Sequence, residues 1–491
     1  MQGAAAGSHT EVTAALFALQ QALENLFVRG IKAAASDDVQ RLSAHGEELR
    51  RAGAAYLAGE VEALIRHVRA ADAEAARVLL RTQTALRVFE RVLSLDVAVA
   101  ALAPGQPSGG TPATPPTART ATPENRSALV PVLEELARTV EGLVGSGLTT
   151  ASTATRQKLD ASFKEASRLK LMRLATSLRY VGDELDRFLG DSDQFSARRF
   201  VFFLTRTWLI GRGLLEAIRE DDQVALGRLL LSSPAMPVRA LRLAVIGVHK
   251  RALLDGSAAF EFRMITLDEQ GSVPRGARLA WSCVFGKKPG VPAEAFLHLP
   301  QAQKFTPKLL LDRTEILVTD AAVSLDEHGS GRLMLGPKST VKPGKKLVDW
   351  DGLVHWDRER VAARWRGHPI SPLDLEIELQ DEVIVTDYHL GAPVPNPYRP
   401  EQQVFPLAAA GLELDAVCST GPDGGELMTT LKAFAKPKAA RPPLYGLMHV
   451  EMGRLVFQPL TVFGDDGPEY LMISGEKIDL ASLMKTMDFS H

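Results

Sequence analysis

The sequence predicts a multidomain α+β protein: an all-α amino-terminal half containing a duplicated helical unit, then a mainly antiparallel β carboxy-terminal half of sandwich or barrel modules. Three observations carry this. The chain has 491 residues, more than one hydrophobic core serves, with 45% hydrophobic and 24% charged residues, an ordinary globular balance. A stretch near the amino terminus recurs 117 positions later. After Asp255 the residue texture changes from helical to strand-like.

Placing Gly30 on Gly147 carries Leu16 onto Leu133, Leu19 onto Leu136, Leu26 onto Leu143, Leu42 onto Leu159, Leu57 onto Leu174 and Ala58 onto Ala175, with 13 of 49 positions identical from Leu16 to Leu64. Several mismatches exchange one apolar residue for another, as Leu23 with Val140 and Phe27 with Val144. Leu16, Leu19, Leu23, Leu26 and Phe27 recur at three and four positions, one face of an amphipathic helix. Gly30 suits the C′ position that closes such a helix, and Ser36, Asp37 and Asp38 offer capping side chains to the next. Repeat unit 1 therefore covers 10–102. Residues 103–125, rich in Pro, Gly and Thr, read as a flexible linker. Repeat unit 2 with its extension covers 126–254; after an insertion of about five residues the match resumes, Arg77 facing Arg199 and Leu86 facing Trp208.

Beyond Asp255, AFEFRMITL, ARLAWSCVF, TEILVTDAAVSL, LDLEIELQDEVIVTDYHL and GRLVFQPLTVF alternate β-branched and aromatic residues with polar ones, and Gly, Pro and Asp lie between them. We divide this half into β modules at 255–345 and 346–475, with a short helical tail at 476–491. No helical run of crossover length separates the strands, which favours antiparallel sheets.

Several classes of function lose support at once. With 57 basic and 59 acidic residues there is no global field for nucleic acid or anionic membrane. Two cysteines, Cys283 and Cys418, are too few for a disulfide framework or a thiolate zinc cage, and a reducing cytoplasm fits best. The first residues lack a basic n-region and do not read as a signal peptide. The most apolar segment, RFVFFLTRTWLIGRGLL, carries Arg199, Arg206 and Arg212, so no segment is expected to span a membrane.

Candidate chemistry is sparse. Asp349, Asp351, His355 and Asp357 could supply oxygen and imidazole ligands to a divalent ion; if the segment is extended, they share one face while Trp350, Val354 and Trp356 pack on the other, which explains the pattern without a metal. Gly331 to Thr340 resembles a phosphate-binding loop, but Pro337 displaces the lysine and deletes an amide, leaving a basic turn. His449 and Glu451 share a strand face, as an acid/base pair or a cross-strand surface pair does. Residues 156–251 hold 18 basic against 11 acidic residues, and Arg168, Lys170, Arg173, Arg179, Arg198 and Arg199 form a candidate basic surface. That surface reads either as a phosphate-binding face or as a solvated helix face. No catalytic residue, cofactor site or cofactor is expected.

Taken together, LFVRGIKAA, GAAYLAGEVEALI, ARVLLRTQTALRVFERVL, FEFRMITLDEQGSVPRGARLAWSCVF and LYGLMHVEMGRLVFQPLTVF resemble the helical and β-rich regions that follow the finger in bacterial SWIM zinc-finger proteins. The finger itself is absent, so zinc is not carried over. The resemblance implies an accessory protein near a MoxR-type AAA ATPase, with that ATPase or a von Willebrand A-domain protein as partner. Our leading expectation is a non-catalytic intracellular scaffold or adaptor that binds protein partners; the rivals are an enzyme with an unrecognised site in the β half and a nucleic-acid binder using the basic second unit.

Overall fold

The structure is a computed structural model that describes residues 2–103, 126–230, 235–253, 257–286, 291–326, 329–347, 350, 352–354, 356–374, 379–421, 424–436 and 441–474. The linker assigned to 103–125, apart from its first residue, and the tail assigned to 476–491 lie outside the described residues. The chain divides into two units, one of residues 1–97, 109–232 and 366–375 and one of residues 98–108, 233–365 and 376–491.

The first unit is helical. Its elements are α1 (Gln2–Arg29), α2 (Ser36–Arg51), α3 (Ala55–Ala70) and α4 (Ala75–Leu102), followed by α5 (Arg126–Ser146), α6 (Thr153–Arg168), α7 (Met172–Leu189), α8 (Ala197–Arg219) and α9 (Gln223–Leu230). The duplication is visible residue by residue. After Gly30 and after Gly147 comes one turn of 3-10 helix, Ile31–Ala33 and Leu148–Thr150; α2 and α6 then start and stop 117 positions apart, as do the starts of α3 and α7. The starts of α4 and α8 are 122 apart: of the five extra residues, two lengthen α7 relative to α3 and three lie in the loop between α7 and α8. Gly30 closes α1 at φ +87°, its amide bonded to the Leu26 carbonyl at 2.8 Å. Asp38, rather than Ser36, serves the start of α2: its carboxylate accepts the Ala35 amide at 2.8 Å and pairs with Arg29 and Arg41. The expected stripes, Leu16 to Phe27 and Leu133 to Val144 included, lie in one core.

The second unit is β-rich. A closed barrel has the order β1-β2-β3-β5-β4, from β1 (Met236–Ala252), β2 (Ser257–Thr266), β3 (Arg278–Gly286), β4 (Thr314–Leu325) and β5 (Ser330–Lys346). All its pairs are antiparallel except β3 with β5. This is the Greek-key arrangement of small five-stranded barrels of the OB type. Alternate residues Phe260, Phe262 and Met264 of β2 and Leu279 and Cys283 of β3 fill it. Next come α10 (Arg358–Gly367), β6 (Gln380–Val385), β7 (His389–Leu390), β8 (Val394–Pro395), β9 (Gln402–Ala409), β10 (Leu412–Ser419), α11 (Gly425–Phe434), β11 (Leu444–Glu451), β12 (Arg454–Gly464) and β13 (Gly467–Tyr470). These strands form a second sheet in the order β6-β11-β12-β10-β9-β7, with β13 on β12 and β8 on β9. Met452 and Gly453, at φ +49° and +70°, turn β11 into β12, a pair of positive φ angles that suits the twist of a two-residue hairpin.

Three readings change here. Residues 236–252, placed by periodicity in the helical extension, are strand β1. Its centre, from Leu243 to Val248, is buried on both faces, so the period-two signal vanishes there. Among the described residues between Trp350 and Asp357, Gly352 turns at φ +73°, and a helix starts at Arg358. Within LDLEIELQDEVIVTDYHL, Leu373 and Asp374 belong to a turn that groups with the helical unit.

Candidate functional site: a turn held by the duplicated helices

Of the four metal candidates, Asp349, Asp351 and His355 lie outside the described residues. Asp357 caps α10, accepting the amides of Glu359 at 3.0 Å and Arg360 at 3.2 Å. Among the described residues no group of three His, Cys, Asp or Glu side chains converges as metal ligands do. The phosphate-loop lookalike is part of β5. Gly336 to Ser339 bulge past Asp320, and the Ser339 hydroxyl accepts the Gly336 amide and donates to the Asp320 carbonyl. Glu451 is held by Arg399 at 2.7 Å, and His449 pairs across strands with Gln380 and Val456. Both cysteines are buried, and desolvation pushes the Cys283 thiol up to about 12 and the Cys418 thiol to about 11.

The six basic candidates are spread from the end of α6 through α7 to the start of α8. Arg168, Lys170 and Arg173 sit where α6 meets α7; Arg168 binds Glu165 at 2.5 Å and Arg173 donates to the Arg228 carbonyl. Arg179 lies over the Tyr180 ring. At the start of α8, Arg199 pairs with Glu184 at 2.9 Å, and the charge of Arg198 acts on Glu24. Arg173 and Glu184, the partner of Arg199, are three turns of helix apart, roughly 16 Å.

Two constellations that sequence reasoning missed are better built. The first lies in the β-rich unit, on the outer face of β1–β3. Arg263 pairs with Glu261 and, at 3.6 Å, with Glu382; Arg278 reaches Asp381 at 3.0 Å; Arg364 reaches the other oxygen of Asp381 at 2.9 Å; Arg251 reaches Glu261 at 3.3 Å. Burial alone would raise Glu261, but Arg263 and Arg251 hold its carboxyl below the usual range, whereas burial dominates at Glu382 and raises it. Burial, helped by Arg251, drives His249 down to about 3, so it is neutral at pH 7. Gly247 lets the second sheet approach, since a Cβ there would lie 2.6 Å from the Tyr445 ring. The outward arginines of β2 and β3 are thus answered by Asp381 and Glu382 of the same chain, on the face where OB-type barrels take oligonucleotides.

The second constellation lies in the helical unit and involves residues 366–374. Ser371-Pro372-Leu373-Asp374 is a β-turn with proline at its second position: the Asp374 amide bonds to the Ser371 carbonyl at 3.1 Å. The Asp374 carboxylate closes the turn from outside, accepting the Ser371 amide at 3.1 Å and lying 3.2 Å from His368 Nε2, while the Leu373 amide donates to Ser371 Oγ. Leu373, 8% exposed, joins the helical core. Its carbonyl accepts Nε of Arg206 at 2.9 Å, and Nη1 of Arg206 reaches Ser177 Oγ of α7. The Asp374 carbonyl accepts Nη2 of Arg87, whose guanidinium covers the Phe202 ring at 4.1 Å. Two arginines from two copies therefore bind two successive main-chain carbonyls of the turn.

Comparison with protein-family models finds no match to this chain, and comparison with curated proteins finds none either. The Pro-Leu turn was legible in the sequence only as Ser-Pro-Leu-Asp after His-Pro; its partners stand 167 and 287 positions away.

The arrangement suits recognition rather than bond breaking. A buried guanidinium is costly unless its donors are met; Arg206, 5% exposed, meets the turn carbonyl. Burial of the leucine adds about 1.5–3 kcal/mol. Main-chain carbonyls are common to all peptides, so the specificity rests on the leucine and the turn. Among the described residues no helix is long and apolar enough to cross a membrane.

Proposed function

We propose that this chain is a non-catalytic intracellular scaffold or adaptor, acting in the cytoplasm through protein partners and accessory to a MoxR-type AAA ATPase system. One observation carries the reading: the duplicated helical unit holds a polypeptide turn through main-chain carbonyls and one leucine, the chemistry of peptide recognition. Duplicated helical units usually build such surfaces. Arg168 and Arg199 are paired with Glu165 and Glu184, and the arginines of β2 and β3 face carboxylates of their own chain, which favours a protein over a nucleic acid as partner.

The test is affinity capture of the tagged full chain from its native host, followed by mass spectrometry and by binding between the purified chain and the recovered protein. Recovery of an AAA ATPase or a von Willebrand A-domain protein that then binds directly supports the proposal. Failure to recover any protein that binds the purified chain counts against it.

A further inference from the structure

We infer that the groove between Arg87 and Arg206 is a recognition site for a proline-leucine turn, that residues 371–374 fill it as a resident ligand, and that the partner's docking segment has the same chemistry. That chemistry is a proline, a large aliphatic residue and then a carboxylate that closes the turn. Such a site would serve the adaptor role proposed above and rests on that reading for its use; peptide binding and partner capture can fail separately.

Four features support an exchangeable ligand rather than a fixed connector. The turn is shaped by its own atoms, through the Asp374 and Ser371 bonds, and needs the helices only for docking. Leu373 is the one hydrophobic residue among described positions 366–374 that is buried, so the hold is local. The arginines address carbonyls, which any peptide in this conformation presents. Finally, the site breaks the symmetry of the repeat: Arg206 corresponds to Thr84 and Ser177 to Glu60, so the second copy alone carries the buried arginine and the small hydroxyl, while the first contributes Arg87. A core selected for stability alone has little use for a buried arginine.

The experiment uses the full chain and a fluorescein-labelled peptide of residues 366–375. In the wild type the resident turn competes, so binding should be weak. Leu373→Asp in the full chain evicts the resident turn, and the peptide should then bind at least tenfold more tightly. Adding Arg206→Leu to that variant, or putting Leu373→Asp in the peptide, should abolish binding. Equal binding to wild type and to a folded Leu373→Asp chain would overturn the inference. If Leu373→Asp does not fold, hydrogen exchange on the wild type decides: the Asp374 amide should exchange through local opening, at least tenfold faster than amides around Arg206. Exchange of that amide only with global unfolding would overturn the inference.

Discussion

Gly30 and Gly147 lie backbone to backbone, each at the same place in its copy of the repeat. A Cβ on Gly30 would stand 2.3 Å from the carbonyl carbon of Ser146, and one on Gly147 would stand 2.2 Å from that of Arg29. Both have positive φ, +87° and +80°. The contact relates the copies reciprocally, and the charges follow it only approximately: Glu141 of the second copy binds Arg77 of the first at 2.9 Å, while the equivalent Glu24 of the first feels Arg198, the neighbour of Arg77's counterpart Arg199. The repeat therefore duplicated a structural unit that pairs with itself, and the glycines are the contact point.

Substitution at this contact should be costly. Gly30→Ala and Gly147→Ala each meet main chain, not a flexible side-chain tip, and each also demands positive φ. We expect about 2–4 kcal/mol of destabilisation from either, measured by urea unfolding. Because both act on one contact, the double variant should lose less than the two singles combined.

The charge network of the barrel should behave as a unit. Arg263→Met leaves Glu261 with Arg251 and Glu382 with Arg278, one arginine each, and we expect a loss at or below the roughly 3–5 kcal/mol of a broken buried pair. Adding Glu382→Gln should recover part of it. Thermal unfolding of the three proteins checks this, and independent effects would contradict it.

The fall of His249 to about 3 carries a pH dependence of definite sign. An unfolded histidine takes up a proton near pH 6.5, while the folded one resists until about pH 3. Stability from this group is present above pH 6.5 and is lost as the pH falls towards 3, by at most about 1.4 kcal/mol per pH unit. Glu382, raised by burial, acts in the opposite direction and is common to wild type and variant. The melting temperature of the wild type should therefore drop more steeply than that of His249→Gln between pH 7.5 and 4.5.

The thiols should be silent in the folded state. With Cys283 pushed up to about 12 and Cys418 to about 11, both buried, neither should react with Ellman's reagent at pH 8. Both should react once denaturant is added, and fast labelling of the native chain would contradict their burial.

Much of the helical half was legible in the sequence because helix periodicity and glycine closure are local: the 117-residue offset placed Ile31–Ala33 and α2 on their counterparts before any contact was known. Strands with one wet face were legible too, β4 at Thr314–Leu325 among them. Strand β1 was not, since burial on both faces erases the alternation on which such a reading depends. The alternation of the metal-like run gave no sign of the turn at Gly352 or of the cap that Asp357 provides. What only the tertiary structure decided is the meeting of distant groups: Gly30 with Gly147, Arg278 with Asp381, and Arg87 and Arg206 with the turn at Leu373. Periodicity reports which face of an element is buried, while partner choice depends on close packing between elements far apart in the chain, and that left no mark on the local pattern.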